Sequence, residues 1–434
     1  MARLRPFRAY TYAHTSPDIS DLVAPPYDVI SQDQRAALLA RNPHNIVALE
    51  LPEGSLDPTV PDNRYATGRL RWRDWRSSRV LVRDRVPAVY VLEQRFTLAG
   101  RPIRRRAFIG EVELREFSER VILPHERTLP KALGDRFNLT RACAANFSQV
   151  FGLYSDPERT TDRFFDIAMA GRPIMTAASD DGVISEVWAL TDRDELAALT
   201  AALEPKQVFI ADGHHRYTTA LAYRDERRQA AERAGVTAQD PTYDYVMMAL
   251  VNMDDPELVV LPTHRIADAP RAFDANAFRT ALEEVFEVSE VSHGASAEEA
   301  LETLEHPGFV VAMRGGPHLL LATLPAEVDL GSLMAVERSH AWKALDVSVL
   351  QELVLDRLLD ICSDEPETLD RLTFVQHVDD ALAAVSDAHD VAFILRPTRM
   401  EQLREIALAG ETMPQKSTYF YPKLLSGLLL RAMD

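Results

Sequence analysis

Residues 207–221 read Gln-Val-Phe-Ile-Ala-Asp-Gly-His-His-Arg-Tyr-Thr-Thr-Ala-Leu, and this stretch restricts the fold more than any other in the chain. Residues 208–211 are an apolar run of strand length, and Tyr217, Ala220 and Leu221 recur at helical spacing. Gly213 permits a tight entry, and Asp212 is a residue type that caps helices, so the pattern predicts a buried strand turning at once into a helix. Backbone N–H groups and the helix dipole favour an anion at such a start. Arg216 can add a bidentate grip on phosphate or carboxylate, Asp212 can hold a divalent cation, and His214 or His215 can move protons near neutral pH. The simpler reading makes Asp212 a cap and the other groups surface residues. Four such groups in five positions exceed what capping requires.

Around this stretch the chain alternates strand and helix signals. Strands are predicted at 4–9, 46–51, 88–96, 105–113, 184–190, 243–251, 258–262, 309–313, 318–324 and 391–395. Helices are expected at 31–39, with Ser31 as cap, and at 64–75, 158–169, 194–203, 275–286, 297–304 and 348–359. Ala99-Gly100 signals a hairpin, with the arginines of 101–106 as a solvated rim. Residues 121–141 are a polar stretch, within which 123–136 show poor periodicity and read as a functional loop. The fold class is α/β (mixed α+β), and 434 residues allow two or three domains. A division into 1–238, carrying the phosphate-binding site, and 239–434, contributing to the pocket, is expected.

A formal net charge of −18 argues against a general nucleic-acid binder. Two cysteines, Cys143 and Cys362, give neither a disulfide framework nor a cysteine zinc site. With no apolar leader and no run long enough to span a bilayer, a cytoplasmic protein without a membrane partner is expected. Its oligomeric state is left open.

Two further segments carry chemistry. His125, Glu126, Thr128, Lys131, Asp135 and Arg136 crowd one polar stretch, where Lys131 and Arg136 suit phosphate and Glu126 or Asp135 suits a base or metal ligand. Leu129 occupies the place where a zinc-protease motif needs its second histidine. Near the end, 413–423 includes Lys416, Ser417 and Thr418, which are candidate anion contacts although the glycines of a phosphate loop are missing. Asn252, Thr263, His264 and Arg265 sit at apparent strand ends. Tyr27 and Asp28 follow a Pro-Pro turn.

Taken together, Ala-Pro-Pro-Tyr-Asp-Val, Pro-His-Glu-Arg-Thr, Asn-Phe-Ser, Ala-Asp-Gly-His-His-Arg-Tyr, Leu-Pro-Thr-His-Arg and Met-Pro-Gln-Lys-Ser-Thr-Tyr-Phe-Tyr-Pro-Lys resemble, in order, the domain-of-unknown-function family ten-fifteen. More narrowly, Asp212-Gly-His-His-Arg216 resembles the D-G-x-H-R signature of free-serine kinases on the ParB/sulfiredoxin-like fold, which phosphorylate free L-serine. The resemblance implies a fold of that kind in the N-terminal portion. It implies that Asp212 binds metal or phosphate, His215 contacts the transferring phosphoryl group and Arg216 grips phosphate oxygens. The kinase's glutamate base has no direct counterpart; Glu126 is the leading candidate, with Glu50 and Glu53 behind it. His125, Thr128, Lys131, Arg136 and His214 complete the expected substrate and phosphate contacts. The expectation is a small-molecule phosphotransferase using Mg²⁺ and ATP, ADP or pyrophosphate. A nucleotide or phosphometabolite sensor is the alternative, and a metal-dependent hydrolase is a third.

Overall fold

The computed structural model describes residues 2–13, 17–127, 130–236, 239–269, 272–292, 295–316, 318–362, 365–387 and 389–433. The chain is mixed α/β and divides into two compact units. The first comprises Met1–Pro124, Thr128–Val259 and Pro422–Asp434; the second comprises His125–Arg127 and Val260–Tyr421. The change of unit therefore falls after Val259, beyond the strand Tyr245–Asn252, and the last residues return to the first unit.

The first unit is organised on a nine-stranded mixed sheet. From one edge the strands run Ile122–Leu123, Val208–Asp212, Val150–Tyr154, Tyr245–Asn252, Arg101–Glu113, Val89–Leu98, Ile184–Leu190 and Met175–Ala178, with Leu4–Arg5 also pairing to Arg101–Glu113. Val208–Asp212 lies parallel to the edge strand and antiparallel to Val150–Tyr154, which is parallel to Tyr245–Asn252. The long hairpin turns at Ala99 and Gly100, both with positive φ, as the Ala-Gly signal requires. One core cluster joins Val89, Val91, Phe108, Val150, Val208 and Ile210 to Leu199, Leu203, Tyr217 and Leu221 of the helices Arg193–Leu203 and His214–Arg233. A second gathers Ile46, Val47, Leu49, Trp72, Trp75, Leu139, Phe147 and Leu430.

Two local expectations are corrected. The 46–51 run is not a strand: Val47–Glu50 is one helical turn with all four residues buried, so its apolar character has no period to reveal. Within the stretch read as a loop, Pro130–Cys143 is a 14-residue helix. Proline at its first position fits a helix start, where the missing N–H costs nothing. This helix packs closely on Arg64–Ser77: a Cβ on Gly68 would lie 3.1 Å from Leu139 and 3.7 Å from the Cys143 sulfur.

The second unit has a six-stranded antiparallel sheet in the order Glu287–Glu290, Leu320–Thr323, Gly308–Met313, Val391–Ile394, His264–Ala267 and Leu372–Val375. Ile266, Val310, Ala312, Ala392 and Ile394 from its strands pack with Ala297, Ala300 and Leu301, and with Ala381 and Val385. The strands Gly308–Met313, Val391–Ile394 and His264–Ala267 are buried at every position, so both faces of the middle of this sheet are covered.

Candidate functional site

The strand Val208–Asp212 ends in an irregularity: pairing with Val150–Tyr154 shifts register between Ile210 and Asp212. Such a bulge turns the last side chain out of the regular pleat. Asp212 is thus the end of the strand, and the expected cap is corrected: Gly213 caps the helix His214–Arg233, at φ +90° and with no side-chain bond. A Cβ at Gly213 would lie 2.9 Å from Arg216 Nε, because the guanidinium folds back over the turn. Tyr217 anchors the helix, donating to Arg115 O at 2.8 Å and accepting the Arg115 N–H at 2.9 Å.

Asp212 is one-fifth exposed and faces two cations, Lys423 Nζ at 2.8 Å and Arg216 at 3.5 Å. Burial opposes ionisation of its carboxyl, but Lys423 and Arg216, with a smaller contribution from His214, hold it well below the usual carboxylate range. Arg216 also donates to the Gln149 carbonyl. Nearby, Arg105 is fully buried and stacks 4.8 Å from the centre of the Phe151 ring. It donates to Gln94 and to the Pro422 carbonyl, yet its Nε and Nη1 have no partner. Burial lowers its pKa to about 9, with Asp212 opposing the shift, so it remains a cation at neutral pH. The reading of 101–106 as a solvated rim is therefore corrected for Arg105 and Arg106, both buried.

On the other side of Arg216 is a small cavity, about 40 Å³ of water-accessible volume, shared by Tyr27, Glu50, Arg136, Ser148 and Thr219. Arg136 donates to the Glu50 carbonyl at 2.9 Å and to Glu50 Oε2 at 3.2 Å, and lies 4.2 Å over the Tyr27 ring. Asp135 orients it, accepting from Arg136 Nε at 3.0 Å and from the Tyr65 hydroxyl at 3.1 Å. Burial pushes the Tyr27 phenol up to about 12 against the pull of Arg136 and Arg216. Glu50 Oε1 and the Thr219 hydroxyl are buried without partners. Groups of this kind are costly unless something completes their bonds.

Of the residues expected from sequence, Asp212, His214, His215, Arg216 and Arg136 belong to this first unit, with His214 buried and His215 half-buried. Thr128 and the side chain of Lys131 lie outside the described residues. His125 and Glu126 belong to the second unit, as do Lys416, Ser417 and Thr418. There the two polar motifs do meet: His125 Nε2 and the Thr418 hydroxyl are 2.9 Å apart, and the Met413 N–H donates to the His125 carbonyl at 2.8 Å. Ser417 bonds the Pro414 carbonyl, and Lys416 holds a positive φ of 55°. Arg265 spans the Thr263, Gln415 and Lys416 carbonyls, which makes it a brace for that loop. Burial lowers its pKa to about 10, with the Glu126 carboxylate opposing.

Asp212 as arranged does not fit the expected Mg²⁺ role, since its oxygens already face Lys423 and Arg216. Among the described residues no group of three or more His, Cys, Asp or Glu is placed to hold a metal ion. Sequence reasoning missed Lys423 and Arg105. Lys423 closes the quoted C-terminal motif but is 211 positions from its carboxylate. Arg105 is hidden within a run of three arginines, Arg104–Arg106.

Fold and site together define a mixed α/β protein that gathers cations around one half-buried carboxylate at a helix start. The chain belongs to the family described as "Protein of unknown function (DUF1015)", whose model matches residues 4–348. Comparison with curated proteins finds no match. Among solved structures, the chain is similar to a conserved hypothetical protein from Pyrococcus furiosus, at 14% identity and TM-score 0.36, covering 76% of this chain and 96% of that one. It is also similar to a free serine kinase in complex with AMP, at 14% identity and TM-score 0.35, covering 72% and 86%. SbnI from Staphylococcus aureus, truncated at its C-terminus, is similar at 10% identity and TM-score 0.35, covering 74% and 86%. Among the described residues no helix is long and apolar enough to cross a membrane.

Proposed function

We propose that the first unit is a small-molecule phosphotransferase, with the phosphoryl donor held between Arg105, Arg216 and Lys423. The observation that carries this reading is Arg105: a buried cation with two guanidinium nitrogens lacking acceptors, beside a carboxylate already outnumbered by cations. A phosphate supplies both the charge and the acceptor oxygens such a group lacks. Phosphoryl transfer asks for charge neutralisation and alignment more than for a covalent nucleophile, which suits this side-chain set.

In this reading the acceptor hydroxyl oxygen attacks the terminal phosphorus, its proton passes to Glu50, and the bond to the leaving phosphate breaks with the electron pair staying on that group. Glu50 is preferred to Glu126 because it lines one cavity with Arg216 and has an unpartnered Oε1. His215 remains the proposed contact to the moving phosphoryl group. No step is assigned to Mg²⁺. ATP, ADP and pyrophosphate are the donors to compare, and free L-serine is the first acceptor, on the D-G-x-H-R resemblance.

The test is phosphorus NMR on the purified chain with each donor, L-serine and a panel of other small alcohols, with Mg²⁺ added. The expected outcome is a phosphorylated acceptor, with Glu50→Gln slowing turnover by about 10²- to 10⁴-fold, the usual contribution of a general base. Binding of AMP or pyrophosphate with no transfer from any pair would replace the enzyme with a sensor at the same site. Loss of all anion binding would sink both.

A further inference from the structure

The second unit contains a cavity of about 800 Å³ that the phosphotransferase reading does not use. Its volume lies within the roughly 300–1,000 Å³ span of small-molecule pockets. His264, at the start of the strand His264–Ala267, is 1% exposed and lines it. Its Nδ1 accepts the Leu395 N–H at 3.2 Å, which places the proton of the neutral ring on Nε2. That Nε2 is buried and has no partner. Burial pushes the ring down to about 4, Glu298 opposing and Arg265 and His377 assisting, so the ring is neutral at physiological pH. The pocket thus presents a fixed N–H donor that wants an acceptor.

The charges along the wall are of the opposite kind. Glu298, Glu302 and Glu305 line the cavity, and among the described residues none of them forms an ion pair. Asp346, a fourth carboxylate, is taken up by Arg396 through two contacts of 2.8 Å. Arg399 is the remaining guanidinium, so the four carboxylates of the lining outnumber its two guanidiniums. Leu301, Val378, Ile394 and Leu395 supply an aliphatic surface between these polar ends. Glu298, Glu302 and Glu305 are solvent-exposed, and their summed charge draws a cation toward the cavity.

We propose that this cavity binds a small organic amine with an aliphatic body, its ammonium held by the Glu298, Glu302 and Glu305 carboxylates and an oxygen acceptor on the His264 Nε2–H. The inference does not rest on the phosphate site. The test is calorimetric titration of the full chain with 5-aminopentanol, pentylamine, pentanol and pentanoate. 5-Aminopentanol is expected to bind most tightly, with pentylamine about tenfold weaker and the other two weaker still. Glu298→Gln with Glu302→Gln should weaken both amines by about tenfold. His264→Asn keeps an acceptor for the Leu395 N–H but removes the ring donor, and should reduce 5-aminopentanol to the affinity of pentylamine. Thermal unfolding checks that each variant is folded, and the panel on the unaltered chain stands whatever the variants do. No amine binding at millimolar concentration, preference for pentanoate, or affinities unchanged in both folded variants would overturn the proposal.

Discussion

At the scale of single residues, Asp212 is held by opposing forces: burial resists its charge, and Lys423 with Arg216 more than restores it. A carboxyl whose folded pKa lies below its ordinary value near 3.8 contributes stability above that value and loses it as pH falls toward the folded one. Asp212→Asn should therefore cost stability at neutral pH, about 1–3 kcal/mol for cations left facing an amide. The gap between the two proteins in urea titrations should narrow only below about pH 4; a gap constant down to pH 2 would contradict the ion-pair account. Gly213 has a separate constraint, since φ +90° disfavours any side chain and a Cβ would press on Arg216. Gly213→Ala is expected to lose about 1–3 kcal/mol by denaturant unfolding, and phosphate affinity should fall with it. Sequence alone showed the crowding of charge here because Asp212 and Arg216 are four positions apart. It could not show Lys423 or the burial of Arg105, since tertiary pairing leaves no local period.

Elements were legible where one face is buried and the ends carry capping chemistry. The helix Gln32–Arg41 begins at Ser31 with a complete capping box to Gln34, as its residue types suggest. The long hairpin and the strand into Asp212 were equally clear, because apolar runs of strand length are bounded there by the turn glycines Gly100 and Gly213. Val47–Glu50 misled because a run buried on every side has no polar face to set its period. Pro130–Cys143 misled for the opposite reason: two of its charged residues point inward, with Arg136 buried on Glu50 and Asp135 tied to Tyr65. That helix brings Arg136 to the cavity, and its seat is the gap left by Gly68. Gly68→Leu should wedge the two helices apart at an overpacking cost of about 1–3 kcal/mol. It should also disturb the cavity, read as faster exchange of the Arg136 side-chain N–H protons in NMR. Unchanged stability would mean that the helices do not depend on this contact.

For the whole molecule, the decisive arrangement is that the first unit is assembled from three stretches of chain and completed by the last one, Pro422–Asp434. Lys423 reaches Asp212, the Leu425 carbonyl accepts from Gln149 at 3.1 Å, and Arg431–Ala432 pairs with Ala145–Asn146. Arg431 is buried and bonds Glu111, Asn146 at 3.0 Å, and the carbonyls of Thr242 and Tyr245. Leu428, Leu429 and Leu430 are wholly buried. Deleting buried leucine side chains costs about 2–5 kcal/mol each, against a total stability of about 5–15 kcal/mol for a typical domain. A chain ending at Tyr421 should therefore fail to hold the first unit folded. Hydrogen exchange with peptide readout should show fast exchange throughout the strands Val150–Tyr154, Val208–Asp212 and Tyr245–Asn252, whereas Lys423→Met in the full chain should leave them protected while anion binding is lost. If the shortened chain keeps those strands protected, the C-terminal residues are an accessory to the site and not part of the fold that builds it.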